Sequence, residues 1–149
     1  MATYQSQQVS DRMPIPSHGY GGSVYCQRFP LTITAALTTA DVLQFGYLPK
    51  YARVVDALLE ASDMDTNGSP TLAFNIGDAG DVDRLFAAST AGQAAGITRM
   101  TLATGFGYRY DDETLITGAP STNAATGAAG TLALYVWFVI EDDGVGYPD

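Results

Sequence analysis

The chain has 149 residues and a formal net charge of −9, with 46% hydrophobic and only 15% charged residues. That length suits one domain with a single core. The charge excludes nucleic-acid binding through a basic patch: the seven basic residues, Arg12, Arg28, Lys50, Arg53, Arg84, Arg99 and Arg109, never sit side by side, and the chain as a whole repels phosphate.

Residues 1–22 hold Pro14, Pro16, Gly19, Gly21 and Gly22 among polar residues, a composition that predicts neither a helix nor a regular strand. They read as an extended N-terminal arm, or as a disordered terminus, and an extended arm is long enough to lie across a neighbouring subunit. Residues 1–12 lack the apolar stretch of a signal peptide. From Ser23 the pattern changes to period-two alternation between turn residues, the mark of half-buried strands. In Leu31 to Ala35 the inward set is Leu31, Ile33 and Ala35. Val42 to Tyr47 is a second strand, closed by Pro49. Arg53 to Ala61 is a third, with Val55, Ala57, Leu59 and Ala61 on one face. Asn67-Gly68 predicts a hairpin turn, with a return strand that points Leu72, Phe74 and Ile76 inward.

Asp81 is placed to cap one short helix over Leu85 to Ala88. Ser89 to Gly96 reads as a flexible small-residue stretch, followed by two short strands, Ile97 to Ala103 and Phe106 to Tyr110, and a further one over Glu113 to Thr117. Gly118 to Gly130 reads as a low-complexity loop. Thr131 to Ile140 is apolar on both faces and rich in β-branched and aromatic residues, which predicts a central strand lying between the core and either a second layer or a partner subunit. At nine residues, Leu132 to Ile140 is the longest apolar run and is too short for a membrane helix, which needs about 20. Glu141 to Asp149 is an acidic tail expected to fray. The expected fold is all-β: one β-sandwich or jelly roll of about eight strands over residues 23–141, with the arm at 1–22 and a flexible tail at 142–149.

No catalytic constellation emerges. A nucleophilic triad needs a base held beside its nucleophile, but the single histidine, His18, lies in the arm, and Cys26 at a strand start reads as a buried structural thiol. Asp63, Asp65, Asn67 and Gly68 open like a calcium loop, yet Phe74 stands where the twelfth-position Glu belongs. The acidic clusters at Asp78, Asp81 and Asp83, at Asp111 to Glu113 and at Glu141 to Asp143 fall in turns or the tail and read as solvated charge. No catalytic residue, metal or cofactor is expected. Low charge is balanced by Ala, Gly, Ser and Thr, which cost little to desolvate, so a subunit of an assembly is expected. Tyr20, Tyr47, Tyr51, Tyr108 and Tyr110 are the candidate contact residues, for a protein interface or alternatively for a carbohydrate.

Three segments carry a family resemblance: Leu48-Pro49-Lys50-Tyr51-Ala52-Arg53-Val54-Val55, Asp65-Thr66-Asn67-Gly68-Ser69-Pro70, and Asn75-Ile76-Gly77-Asp78-Ala79-Gly80-Asp81-Val82-Asp83-Arg84. With Gly105-Phe106-Gly107-Tyr108-Arg109-Tyr110 and the apolar last strand, the chain resembles the head decoration or cement proteins of tailed bacteriophages and related small virion proteins. The resemblance implies a non-enzymatic jelly-roll subunit, often a homotrimer, made in the host cytoplasm, that binds the major capsid protein on the outer surface of the assembled capsid. The alternatives it leaves are a neck or tail component and a carbohydrate-binding module for cell-surface attachment.

Overall fold

The computed structural model of the chain describes residues 1–10 and 23–141. Nine strands run β1 Thr3–Gln5, β2 Val24–Ile33, β3 Val42–Leu48, β4 Ala52–Ala61, β5 Ala73–Gly77, β6 Phe86–Ser89, β7 Gly96–Arg99, β8 Thr114–Thr122 and β9 Gly130–Ile140, with one helical turn, α1, at Gln7–Ser10. They form two sheets, β1-β3-β8-β5-β6 and β2-β9-β4-β7. With β1 set aside, consecutive strands mostly cross from one sheet to the other, and this order is that of a jelly roll. The expected all-β sandwich is therefore the fold. Among the described residues no helix is long and apolar enough to cross a membrane.

Alternation built these strands, and the core is what their inward rows enclose. Phe29, Leu31 and Ile33 of β2 and Leu132, Leu134, Val136 and Phe138 of β9 face Leu43, Phe45 and Leu48 of β3, Phe74 and Ile76 of β5, and Ile116 of β8. β9 is central, pairing β2 over ten residues and β4 on its other side.

The departures from simple alternation each have a cause. In β4 a bulge between Val54 and Asp56 resets the phase, so Val54 is buried and Val55 is turned out, contrary to the face expected from the sequence. Ala35 is likewise exposed, because β2 ends at Ile33. Asn67-Gly68 makes no hairpin: β4 and β5 lie in different sheets, and the segment between them crosses the sandwich. Leu85 to Ala88 is not helical; Phe86–Ser89 pairs with β5 as an edge strand, and Leu85 N–H donates to Ile76 O at 2.9 Å. Ser89 to Gly96 is not loose either. It carries a single 3-10 turn, Ala91–Gln93, packed so closely that a Cβ on Gly92 would sit 2.8 Å from Phe74.

The start of the supposed low-complexity loop belongs to a strand inside the first sheet. β8 runs through Gly118 to Thr122 and lies between β3 and β5, where a Cβ at Gly118 would stand 3.1 Å from the Phe45 ring. Small residues are needed there because the neighbouring phenylalanines fill the space. Pro120 sits opposite Phe74, next to a register shift at Ala73/Phe74, so its missing N–H falls at an irregular place in the ladder. Phe106 to Tyr110 forms no regular strand; Arg109 makes only an isolated bridge to Arg53.

At the start of the chain the expectation of neither helix nor strand is corrected. β1 adds to the first sheet in parallel register, Thr3 with Val42, Tyr4 with Leu43 and Gln5 with Gln44, and α1 follows it. The rest of the arm, with Tyr20 and His18, and the tail from residue 142 lie outside the described residues.

Candidate interaction surfaces

Four of the five candidate tyrosines gather at one end of the sandwich, where the turns β3–β4, β5–β6 and β7–β8 meet. The β3–β4 turn is tight: Ala52 N–H donates to Pro49 O at 3.1 Å, and Tyr51 takes a left-handed φ of 65°, a conformation costly for a large side chain. The ring of Tyr51 lies 4.7 Å from both Lys50 Nζ and the Arg109 guanidinium, which hold it by cation–π attraction. Tyr47 is half-buried on the outer face of the first sheet, in register with Leu115. Tyr108 is 37% exposed, but one ring face is taken by the Arg84 guanidinium at 3.6 Å. Exposed Val82 and Phe106 belong to the loops at this same end.

Tyr110 is corrected from contact residue to core. It is buried, and its hydroxyl donates to Asp78 Oδ2 at 3.1 Å. Asp78 is itself buried, not a solvated turn charge, and receives Arg84 Nε at 2.5 Å and the N–H groups of Gly80 and Asp81 at 2.8 and 3.0 Å. Burial pushes the Asp78 carboxyl up, but the Arg84 hydrogen bond and the Gly80 N–H more than reverse this and hold it below its usual range. The glycine before it has a physical reason: a Cβ on Gly77 would fall 2.1 Å from the Asp81 carbonyl oxygen. The Asn75 to Arg84 segment singled out in the sequence is thus a clamp that stiffens this end.

Asp65 does not open toward a cation. Its carboxylate is turned into the protein, where Oδ2 accepts from Thr71, Leu72 and Ala125 N–H at 2.7, 3.1 and 2.9 Å and Oδ1 from Thr126 N–H at 2.8 Å. Burial raises its pKa, yet these four donors outweigh burial and hold the carboxyl far below its usual range. Asp65 thereby ties the β4–β5 crossing to the β8–β9 loop. Glu141, expected to begin a fraying tail, is also fixed: Arg53 donates to its two oxygens at 2.5 and 2.9 Å, and its own N–H donates to Tyr51 O.

The second surface is the outer face of the sheet β2-β9-β4-β7. Along β9 it presents half-buried Tyr135, Trp137 and Val139 beside the buried Ala133, flanked in register by Arg28 and Cys26 on β2 and by Leu58 and Asp56 on β4. Tyr135 and Trp137 stack with ring centroids 6.2 Å apart. Val24, Val55 and Ile97 are 56%, 45% and 66% exposed around them, and a depression of about 380 Å³ opens beside Arg28, Pro30, Glu60 and Ala133. The charges here are tied within the chain: Arg28 Nε donates to the Tyr135 hydroxyl, which donates to Glu60 Oε2, both at 2.9 Å, and Arg99 pairs with Asp56 at 2.7 Å. Around the aromatic centre Arg28 and Arg99 thus stand against Glu60 and Asp56, so the charges there balance on a chain of net charge −9.

Cys26 is exposed on this face, correcting the expectation of a buried thiol. The strand phase places it outward, opposite Trp137. Because the thiol is exposed, alkylation by a maleimide is expected in the native protein, more slowly than for a free cysteine because partial burial pushes the thiol up and lowers the thiolate share; mass spectrometry of the intact chain checks this, and a thiol that reacts only after denaturation contradicts the exposed placement.

Comparison with known proteins places these surfaces in context. A chain in the capsid of Ralstonia phage GP4 superposes with a TM-score of 0.81 at 32% identity, over 95% of this chain and 99% of that one. A chain in the capsid of cyanophage Pam1 matches with a TM-score of 0.75 at 36% identity, over 87% and 94%. A third, from the acid-stable capsid of Helicobacter pylori bacteriophage KHP30, shares the fold at a TM-score of 0.57 and 12% identity, over 82% and 92%. No protein-family model and no curated protein matches the chain.

Proposed function

Because the chain belongs to the family of phage virion structural proteins represented in the GP4 and Pam1 capsids, we propose that it is a non-enzymatic cement protein that assembles with its own copies and binds the outer surface of the assembled capsid, on the major capsid protein. The observation carrying this reading is the outer face of β2-β9-β4-β7, with stacked Tyr135 and Trp137 at its centre and balanced charges beside them. Chains of net charge −9 repel one another unless they meet where local charge cancels, and this face offers both that cancellation and an aromatic centre of the kind that anchors interfaces. Strands about 4.8 Å apart and about 3.3 Å per residue give it roughly 500–600 Å². With its rim it approaches the about 800 Å² that one partner buries in a stable complex. A homotrimer joined through this face leaves the end bearing Tyr47, Tyr51 and Tyr108, together with the arm, to meet the coat. Binding only to the assembled lattice then stabilises that lattice by the binding free energy.

The test is to add the purified protein to capsids that lack it and to record the capsid melting temperature, with light scattering to count chains in solution. A trimer and a raised melting temperature are expected. Ile97→Asp, which adds a charge at an exposed position without touching the core, is expected to shift the protein toward monomer and weaken capsid binding at least about tenfold. A protein that neither associates nor raises the melting temperature overturns the reading.

A further inference from the structure

The pairing of β1 with β3 has separable halves. The receiving half is organised by the body of the domain alone. Asp41 is buried and its Oδ2 is fixed by Thr38 N–H at 2.9 Å and Thr38 Oγ1 at 3.2 Å, which leaves Oδ1 to accept Ala2 N–H at 2.7 Å. Gln44 O accepts Ser6 N–H at 3.0 Å, and Val42 N–H donates to Ala2 O at 3.1 Å. The inserted half is residues 2–6, and its register is only three residue pairs long. Without it, the seven-residue β3 is left as an open edge at the side of a ten-residue edge strand, β2, and such an edge is a template for any extended chain.

Residues 11–23 connect α1 to β2. α1, ending at Ser10, already packs against both β2 and β3, while β2 resumes at Val24. The twelve residues numbered 11–22 can reach about 40 Å at about 3.3 Å per residue. A short plug, a preformed socket and a connection of long reach are what strand exchange needs, because the exchanged state keeps every hydrogen bond and changes only the path of the linker.

We propose that residues 1–6 are an exchangeable strand, which in the oligomer adds to β3 of a neighbouring copy and so ties the copies together. This goes beyond the cement reading and uses its trimer only to bring copies within reach. Exchange raises the effective concentration of each remaining contact between copies.

Gln5 and Gln44 are direct neighbours in the parallel register, with side chains 2.5 Å apart, and paired strands about 4.8 Å apart fall within disulfide reach. Two full-length chains, each with Cys26→Ser, carry Gln5→Cys alone and Gln44→Cys alone. They are unfolded, mixed in equal amounts, refolded together and oxidised. The expected result is a reducible covalent dimer joining one chain of each kind, formed by neither chain alone. A chain bearing both substitutions is expected to form reducible multimers. A mixture without the mixed dimer overturns the proposal, whether the double variant closes on itself or stays open. Light scattering on the same sample separates the two readings: trimers without the mixed dimer overturn exchange and leave the cement reading standing, whereas monomers count against both.

Discussion

Replacing Asp78 by Ala is expected to destabilise the fold by about 3–5 kcal/mol, the usual result of removing one partner from a buried ion pair and leaving the other charge uncompensated. Arg84 has 11% of its side chain exposed and donates to both Asp78 oxygens. Its remaining neighbours are Asp81 at 3.7 Å and the face of Tyr108, and neither replaces the lost carboxylate. The same substitution strips the buried Tyr110 hydroxyl of its acceptor. Urea unfolding monitored at Trp137 measures the loss. Tyr110→Phe removes a single hydrogen bond and is expected to cost only about 1 kcal/mol; equal losses for the two variants contradict the clamp. The effect reaches function through geometry, because this carboxylate joins the loop carrying Tyr108, otherwise held by backbone hydrogen bonds to Ala52 and Val54, to the turn carrying Asp81. Asp78→Ala capsid binding is therefore expected to fall by more than its stability accounts for at a temperature where it remains folded.

Asp65→Ala is expected to be as damaging for a different reason. Here four backbone N–H groups, on Thr71, Leu72, Ala125 and Thr126, lose their common acceptor, and the two crossings they fasten lose their tie. A fall in melting temperature of more than about 10 °C is expected for a chain of this size. Asp65→Asn keeps the shape, and as an amide its one acceptor oxygen meets fewer of the four donors, so an intermediate fall is expected. The pH dependence has a definite sign. Asp65 and Asp78 both have carboxyls held below their usual range in the folded state, so the unfolded chain binds protons first as pH falls. Their stabilisation is fully present above the unfolded carboxylate value of about 4 and is lost as pH drops toward their folded values. Thermal melts from pH 7 to pH 2 are expected to be level down to about pH 5 and then to descend, with a shallower descent in Asp65→Asn. An equally steep descent in that variant contradicts the assignment.

The carboxylates mark where reading the sequence reached its limit. Asp65 sits in letters that resemble the start of a calcium loop and Asp78 in an acidic turn. Both are buried hubs, because the donors that satisfy them lie as many as 61 residues away along the chain. The tyrosines divide in the same way. Tyr47, Tyr51 and Tyr108 retain exposed area, while Tyr110, two residues from Tyr108, turns inward. The alternation around Gly107, whose φ is 73°, gave no hint of which of the two would be buried. The outer sheet face was half legible: an apolar character on both sides of Thr131 to Ile140 called for a covering layer or a partner. That Val24, Val55 and Ile97 surround it required the pairings of β2, β4 and β7.

What the sequence determined by itself is the all-β class, the central place of β9, the inward setting of Leu31 and Ile33 in β2 and the phase of β5, since period-two alternation is a local property that each segment carries alone. Only the tertiary structure decided which sheet each strand joins, where the bulge in β4 turns Val55 outward, why Gly118 and Pro120 belong inside a strand, and that residues 3–5 close an edge. Those outcomes depend on which side chains meet across the sandwich, such as Phe45 over Gly118, and on backbone hydrogen bonds between residues far apart in the chain. No local pattern encodes a partner that lies dozens of residues away.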